Sequence, residues 1–322
     1  MSSPLLRGPR WVDVRLHRPA LWAGLGLVVL TAVVTAYLRW ATHAYPEPTG
    51  SCTSNGSCDT FLGFTSARDL LYEFVKDYSQ GMLLVPVLIG AFVAGPVIAR
   101  ELESGVHKVA WTQSVSPTRW LMSKLTVFAV VSVAGGLALM TFFWIARSGS
   151  GATWNLGWAD RGVYESIGPV LIAYCLFAVV VGALVGLLVR RALIALVTGG
   201  LVTGLVLFFM GSVRWDLFPT RTISGAGSGY GDAGGVGALP RDSFETDWWV
   251  HNAAGERFYG SQCHFKPIVS SCPTDTKVVG WSIDFHPHSH FWYVQLIETG
   301  IVLALTAAAA YAAFRVLKRL TP

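Results

Sequence analysis

Glu298 lies inside an apolar stretch, Phe291 to Phe314, where a carboxylate is out of place. An acidic side chain at the centre of a membrane helix costs about 2.5–3.5 kcal/mol on insertion scales, so it is expected to face protein or a polar path and not lipid. Gln295 stands one turn earlier on the same helical face. Two roles stay open for the pair. Glu298 is either a structural partner for an Arg, Tyr or Trp of the loop before the stretch, or a substrate- or proton-responsive group lining a translocation path. Just upstream, His286, His288 and His290 alternate, with His251 and His264 nearby. Imidazoles at such spacing can ligate metals, but Pro287 interrupts the run and no paired carboxylates accompany it, so a polar turn at an interface is the expectation and no metal is expected. Gly229, Gly231 and Gly234 match GxGxxG, but without a strand before and a helix after they read as linker. Neither GxxxxGK[ST] nor HExxH nor GxSxG occurs. The chain therefore offers no catalytic residue and no ATP-binding loop of its own, and it is not expected to be an enzyme.

The elements that must carry these residues are membrane helices. The chain has 322 residues, 52% hydrophobic and only 13% charged, outside the balance of a soluble domain. Apolar runs of about 20 residues recur, each long enough for roughly 30 Å of hydrocarbon. Six spans are predicted: Ala20–Leu38, Gly81–Ala99, Leu125–Ala146, Ile167–Val189, Ala192–Val213 and Phe291–Phe314. The first follows Arg7, Arg10, Arg15 and Arg18 and resembles a signal peptide, but its basic segment is long and its apolar run spans a full bilayer. It is read as retained. Arg190, Arg191, Arg315, Lys318 and Arg319 all fall on the cytoplasmic side if the N-terminus is inside, which fixes both termini in the cytoplasm. The net charge of +5 then reflects topology and not nucleic-acid affinity.

The expected organisation is an all-α membrane protein. Residues 1–19 form a cytoplasmic interfacial helix; 20–213 hold the first five spans, with an inner segment at 99–124. Residues 214–290 are an extracellular subdomain, and 291–322 the sixth span and a basic tail. Leu70, Leu71, Phe74, Val75 and Tyr78 recur at helical spacing, so the second span begins as an amphipathic helix. In the inner segment, Gly105 ends one helix and Ser116 with Pro117 caps and starts another, leaving a short helix between the breaks. Arg190–Arg191 imposes a tight hairpin. Gly182/Gly186 and Gly200/Gly204 form GxxxG pairs that call for close helix packing, within the subunit or between subunits.

Cys52, Cys58, Cys263 and Cys272 fall outside on this topology, and Cys175 lies mid-span. Of the three possible pairings, Cys52–Cys58 and Cys263–Cys272 close the shortest loops and are the expected disulfides. Gly225 to Gly237 reads as a Gly-rich linker. Phe244 to Phe285, with its aromatic residues around Cys263 and Cys272, reads as a small stapled subdomain on the membrane surface.

The segment ARELESGVHKVAWTQSVSPTRWLMSKL resembles the loop between the second and third spans of ABC-transporter permeases of the six-helix exporter class, often called type V. The stretch FHPHSHFWYVQLIETG is similar to the opening of the last span in the actinobacterial permeases of that class. There an aromatic-Gln-Pro followed by Arg-Phe-Trp is usual; His286 and His290 depart from it. The resemblance covers nearly the whole chain. It implies that a short inner helix docks on a separate ATPase, with Glu101, Glu103, Gly105, Thr112, Gln113, Pro117 and Arg119 in the coupling role. It also implies two ATPase chains carrying ATP and Mg, a second permease copy, and export across the plasma membrane of what is expected to be a bacterial cell. The alternatives are a membrane-anchored sensor or interaction protein that binds a ligand through 214–290, and an intramembrane enzyme using Glu298 and the loop histidines.

Overall fold

The computed structural model describes residues 18–45, 61–64, 66–106, 116–148, 156–227, 239–262, 264–265, 270–271 and 278–320. Six helices among these residues are long and apolar enough to cross a membrane. They are α1 (Arg18–Ala44), α2 (Ala67–Ile89) continuing through a π-helical turn, Gly90–Ala94, into α3 (Gly95–Glu103), α4 (Pro117–Ser148), α6 (Val170–Val189), α7 (Ala192–Val213) and α8 (Phe291–Leu320); a short α5 covers Val163–Ile167. The chain divides into two units, one holding residues 1–156, 160–211 and 298–322, the other 157–159 and 212–297.

In the first unit α6 is central, packing on α2, the π turn, α3, α4 and α5. It is hydrophobic all round and has no polar stripe, as a helix surrounded by protein should be. Its core partners include Met82, Ile89, Ile98, Leu121, Leu125 and Phe128. On α1 and α7 the opposite holds: Trp22, Leu30, Leu193, Leu201 and Phe208 are all exposed. Such surfaces are stable only where the solvent is hydrocarbon.

The amphipathic start expected for the second span is present. Ser66 caps α2 by accepting from the Asp69 amide at 3.2 Å, and Leu71 and Val75 are fully buried. The helix then runs on without a break for 37 residues through α3, about 55 Å at 1.5 Å per residue. The fourth span begins at Val170 and not at Ile167, because Gly168 precedes Pro169 and adopts an extended backbone, as residues before proline prefer.

The second unit corrects the all-α expectation for this part of the chain. It holds a four-stranded antiparallel sheet of order β1-β6-β2-β3, with β1 Arg221–Ala226, β2 Phe244–Asn252, β3 Arg257–Tyr259 and β6 Val278–His286. A two-residue pair, β4 His264–Phe265 with β5 Ser270–Ser271, accompanies it. Val250, Val278, Trp281 and Ile283 form its core with Ile223, Trp248 and Phe258 against them. The subdomain therefore begins earlier than Phe244: Gly225, expected in a linker, pairs with Trp281 inside the sheet. A Cβ there would stand 2.6 Å from the Trp281 ring, so glycine permits the indole to lie over the neighbouring strand. The β2–β3 turn is shaped by Asn252, whose Oδ1 accepts from the Ala254 and Glu256 amides at 3.0 and 2.9 Å.

The interfacial helix expected within 1–19, apart from Arg18 and Pro19 at the start of α1, most of the short inner helix expected between Gly105 and Ser116, the Gly229–Gly234 stretch and all four loop cysteines, Cys52, Cys58, Cys263 and Cys272, lie outside the described residues. Cys175 is buried and free.

Candidate functional site

The two ends of the inner segment are tied together. α3 ends at Glu103, and Gly105 follows with φ +74°, the left-handed closure expected there. Across from it, the Arg119 amide donates to Ser116 Oγ at 3.3 Å, so Ser116 caps α4 just before Pro117. Glu101 of α3 then bridges to α4 twice. Its Oε1 accepts from Lys124 Nζ at 2.6 Å and its Oε2 from Trp120 Nε1 at 3.1 Å. The Lys124 side chain is only 2% exposed and that of Glu101 16%, and the ammonium also lies 5.5 Å from the Trp120 ring centroid. Removing one partner of a largely buried pair weakens the hold on the other charge and costs up to about 3–5 kcal/mol. Glu103 is exposed, and its Oε2 accepts from the Ala192 amide at 3.3 Å. That caps the N-terminus of α7 immediately after the Arg190–Arg191 turn, where Arg190 takes φ +55°. Arg119 is exposed and Pro117 half-buried; Thr112 and Gln113 lie outside the described residues.

Behind this clamp, three helices approach at backbone distance. A Cβ on Gly90, in the π turn, would stand 2.4 Å from Thr203 Oγ1; one on Gly199 would stand 2.4 Å from the Gly90 carbonyl. On α6, Gly186 would meet the Gly95 carbonyl at 2.6 Å and Gly182 the Gly95 amide at 3.1 Å. The Gly182/Gly186 pair thus packs within the subunit. On α7 the close contacts within the subunit are made by Gly199, Gly200 and Thr203, while a Cβ on Gly204 would find only Val87 Cγ2 at 3.9 Å. A π turn widens the helix by one residue, which is how Gly90 and Gly95 are both brought to neighbouring backbones.

Deeper in the same unit, Tyr174 Oη donates to Glu298 Oε1 at 2.6 Å, both residues being fully buried. This tyrosine belongs to α6. Gln295 is fully buried as well. The sequence placed Glu298 correctly inside a span, but Tyr174 carried no signal, since a tyrosine in an apolar run reads as one more bulky residue.

In the second unit, His286 and His290 meet, Nδ1 to Nδ1, at 3.1 Å, and His286 Nε2 lies 3.1 Å from the Trp215 carbonyl oxygen. Both nitrogens of His286 are therefore engaged, leaving no lone pair for a metal. His251 faces Ser282 Oγ at 2.9 Å instead, and no metal-binding cluster exists among the described residues. Burial pushes the His286 imidazole below its ordinary range, against the opposing pull of the Trp215 carbonyl and Asp216.

A family model described as ABC-2 membrane transporter related matches residues 24–214. No curated protein and no solved structure matches the chain.

Proposed function

This protein belongs to the ABC-2 membrane transporter related family, whose model covers more than half of the chain, and we propose that it works as one half of an ATP-driven exporter. Membership makes it a multi-pass permease component that associates with an ABC ATPase. In our reading the N- and C-termini are cytoplasmic, two copies form the path between them, and two ATPase chains hold the ATP and Mg. The observation that carries the reading is the Glu101–Lys124–Trp120 clamp. A segment gripped by a partner transmits force only if its ends cannot move apart. With α3 and α4 locked at their ends, displacement of 104–116 is passed to both helices at once, and from α3 through the glycine contacts to α6 and α7.

The test is to copurify the chain with its ATPase and follow transport in reconstituted vesicles. Lys124→Met is expected to leave the ATPase bound while uncoupling hydrolysis from transport; unimpaired transport would remove the clamp from the mechanism. Replacing Arg119, Thr112 and Gln113 together is expected to loosen the ATPase itself. The reading of 214–290 as a ligand-binding module is favoured by one observation, the independent sheet and core of the second unit, and is compatible with a permease.

A further inference from the structure

A pocket of about 470 Å³ opens in the second unit between residues 218–221 and the turn that leads into α8, lined by Phe218, Pro219, Thr220, Arg221, Ser289, His290 and Tyr293. Its apolar wall is Tyr293 stacked on Phe218, centroids 5.1 Å apart and 7° from parallel. His290 meets the edge of Phe218 at 4.7 Å and is only 5% exposed.

Hydrogen-bond bookkeeping fixes which face His290 turns to the pocket chemically. The Trp215 carbonyl can only accept, so His286 Nε2 carries a hydrogen; a neutral His286 then has its lone pair on Nδ1. The contact at 3.1 Å consequently requires the hydrogen on His290 Nδ1. His290 Nε2 is left as an acceptor. Arg221 supplies a cation with five N–H donors, Thr220 and Ser289 supply hydroxyls, and among the described residues no carboxylate lines the cavity. A ligand that fits must present an anionic oxygen group to Arg221 and a hydroxyl to His290 Nε2. It must also carry an apolar part for the Tyr293–Phe218 wall.

Location narrows the class. Trp292 and Tyr293 are 58% and 57% exposed at the mouth of the sixth span, where amphipathic aromatics sit at headgroup level. We propose that this pocket binds the head of an anionic phospholipid bearing a free hydroxyl, a glycerol phosphate head being the simplest. Arg221 holds the phosphate, His290 Nε2 accepts the hydroxyl, and the Trp215–His286–His290 relay keeps that acceptor oriented. This assignment does not depend on the transport reading.

The experiment uses the full chain in detergent, titrated with short-chain phosphatidylglycerol, phosphatidylmethanol (the same charge, no free hydroxyl), phosphatidylcholine and soluble glycerol 3-phosphate, with binding read by native mass spectrometry. Phosphatidylglycerol is expected to bind best. Arg221→Ala, at an exposed side chain, is expected to lower that affinity about ten-fold, the worth of one charge-assisted contact. His290→Asn keeps a nitrogen donor near the Nδ1 position and has no atom at the Nε2 position to accept there, so it is expected to erase the preference over phosphatidylmethanol. Equal binding by wild type and Arg221→Ala, or no preference over phosphatidylcholine, overturns the proposal. Glycerol 3-phosphate binding as tightly as the lipid also overturns it, in favour of a soluble ligand.

Discussion

The buried Glu298–Tyr174 contact is a residue-scale commitment that the fold has to satisfy continuously. Tyr174→Phe removes a donor while leaving the carboxylate buried, which costs about 1–3 kcal/mol. Thermal unfolding in detergent is expected to shift down accordingly. Glu298→Gln keeps an acceptor and removes the charge, so it is expected to be milder; if transport nonetheless stops in Glu298→Gln at normal stability, the carboxylate serves the path and not the packing. His286 gives a pH prediction whose sign follows from burial. Its folded value lies below that of an unfolded imidazole, about 6.5, so the unfolded state takes up a proton first. Stability of the second unit is full above about pH 6.5 and is lost as pH falls below it. The protection factors of the β6 amides, corrected for intrinsic exchange, are expected to fall between pH 7 and 5, and His286→Gln is expected to flatten that dependence. The groups facing His286 are His290, Asp216 and the Trp215 carbonyl.

Between elements, packing is decided by which glycines meet backbone. Gly199→Ala is expected to cost about 1–3 kcal/mol because the new methyl meets the Gly90 carbonyl, which has nowhere to move. Gly204→Ala faces open space and is expected to be silent or slightly stabilising. Comparable losses at both positions would mean that the contact of α7 with the π turn is not the tight one. The GxxxG spacing was legible, and on α6 it names the residues that pack. On α7 Gly199 and Gly200 make the close contacts within the subunit and Gly204 does not, because several small faces are on offer and only the partner backbone selects among them. The π turn carried no signal beyond Pro86 and Gly90, since its extra residue is set by neighbours and not by local preference. Likewise Glu101 and Lys124 read from the sequence as loop charges; they are 23 residues apart, and nothing local pairs them.

At the scale of the whole molecule, hydrocarbon replaces a large soluble core, and the arginines and lysines are expected to set the orientation. An epitope inserted at the Gly255 turn is expected to be stained on intact cells, and one at the C-terminus only after permeabilisation; the reverse pattern would invert the topology. The sequence by itself determined the number of spans, their approximate limits and the membrane setting, because apolar run length is a one-dimensional quantity that a bilayer reads directly; the family was legible only as a resemblance carried by the segment between the second and third spans. Tertiary structure alone decided the sheet in 221–286, the α3–α4 clamp, the Tyr174 partner of Glu298 and the His286–His290 relay. Each of those depends on groups far apart in the chain being desolvated together, and the cost of leaving a buried charge, amide or imidazole unpaired appears only once neighbours have excluded water or lipid.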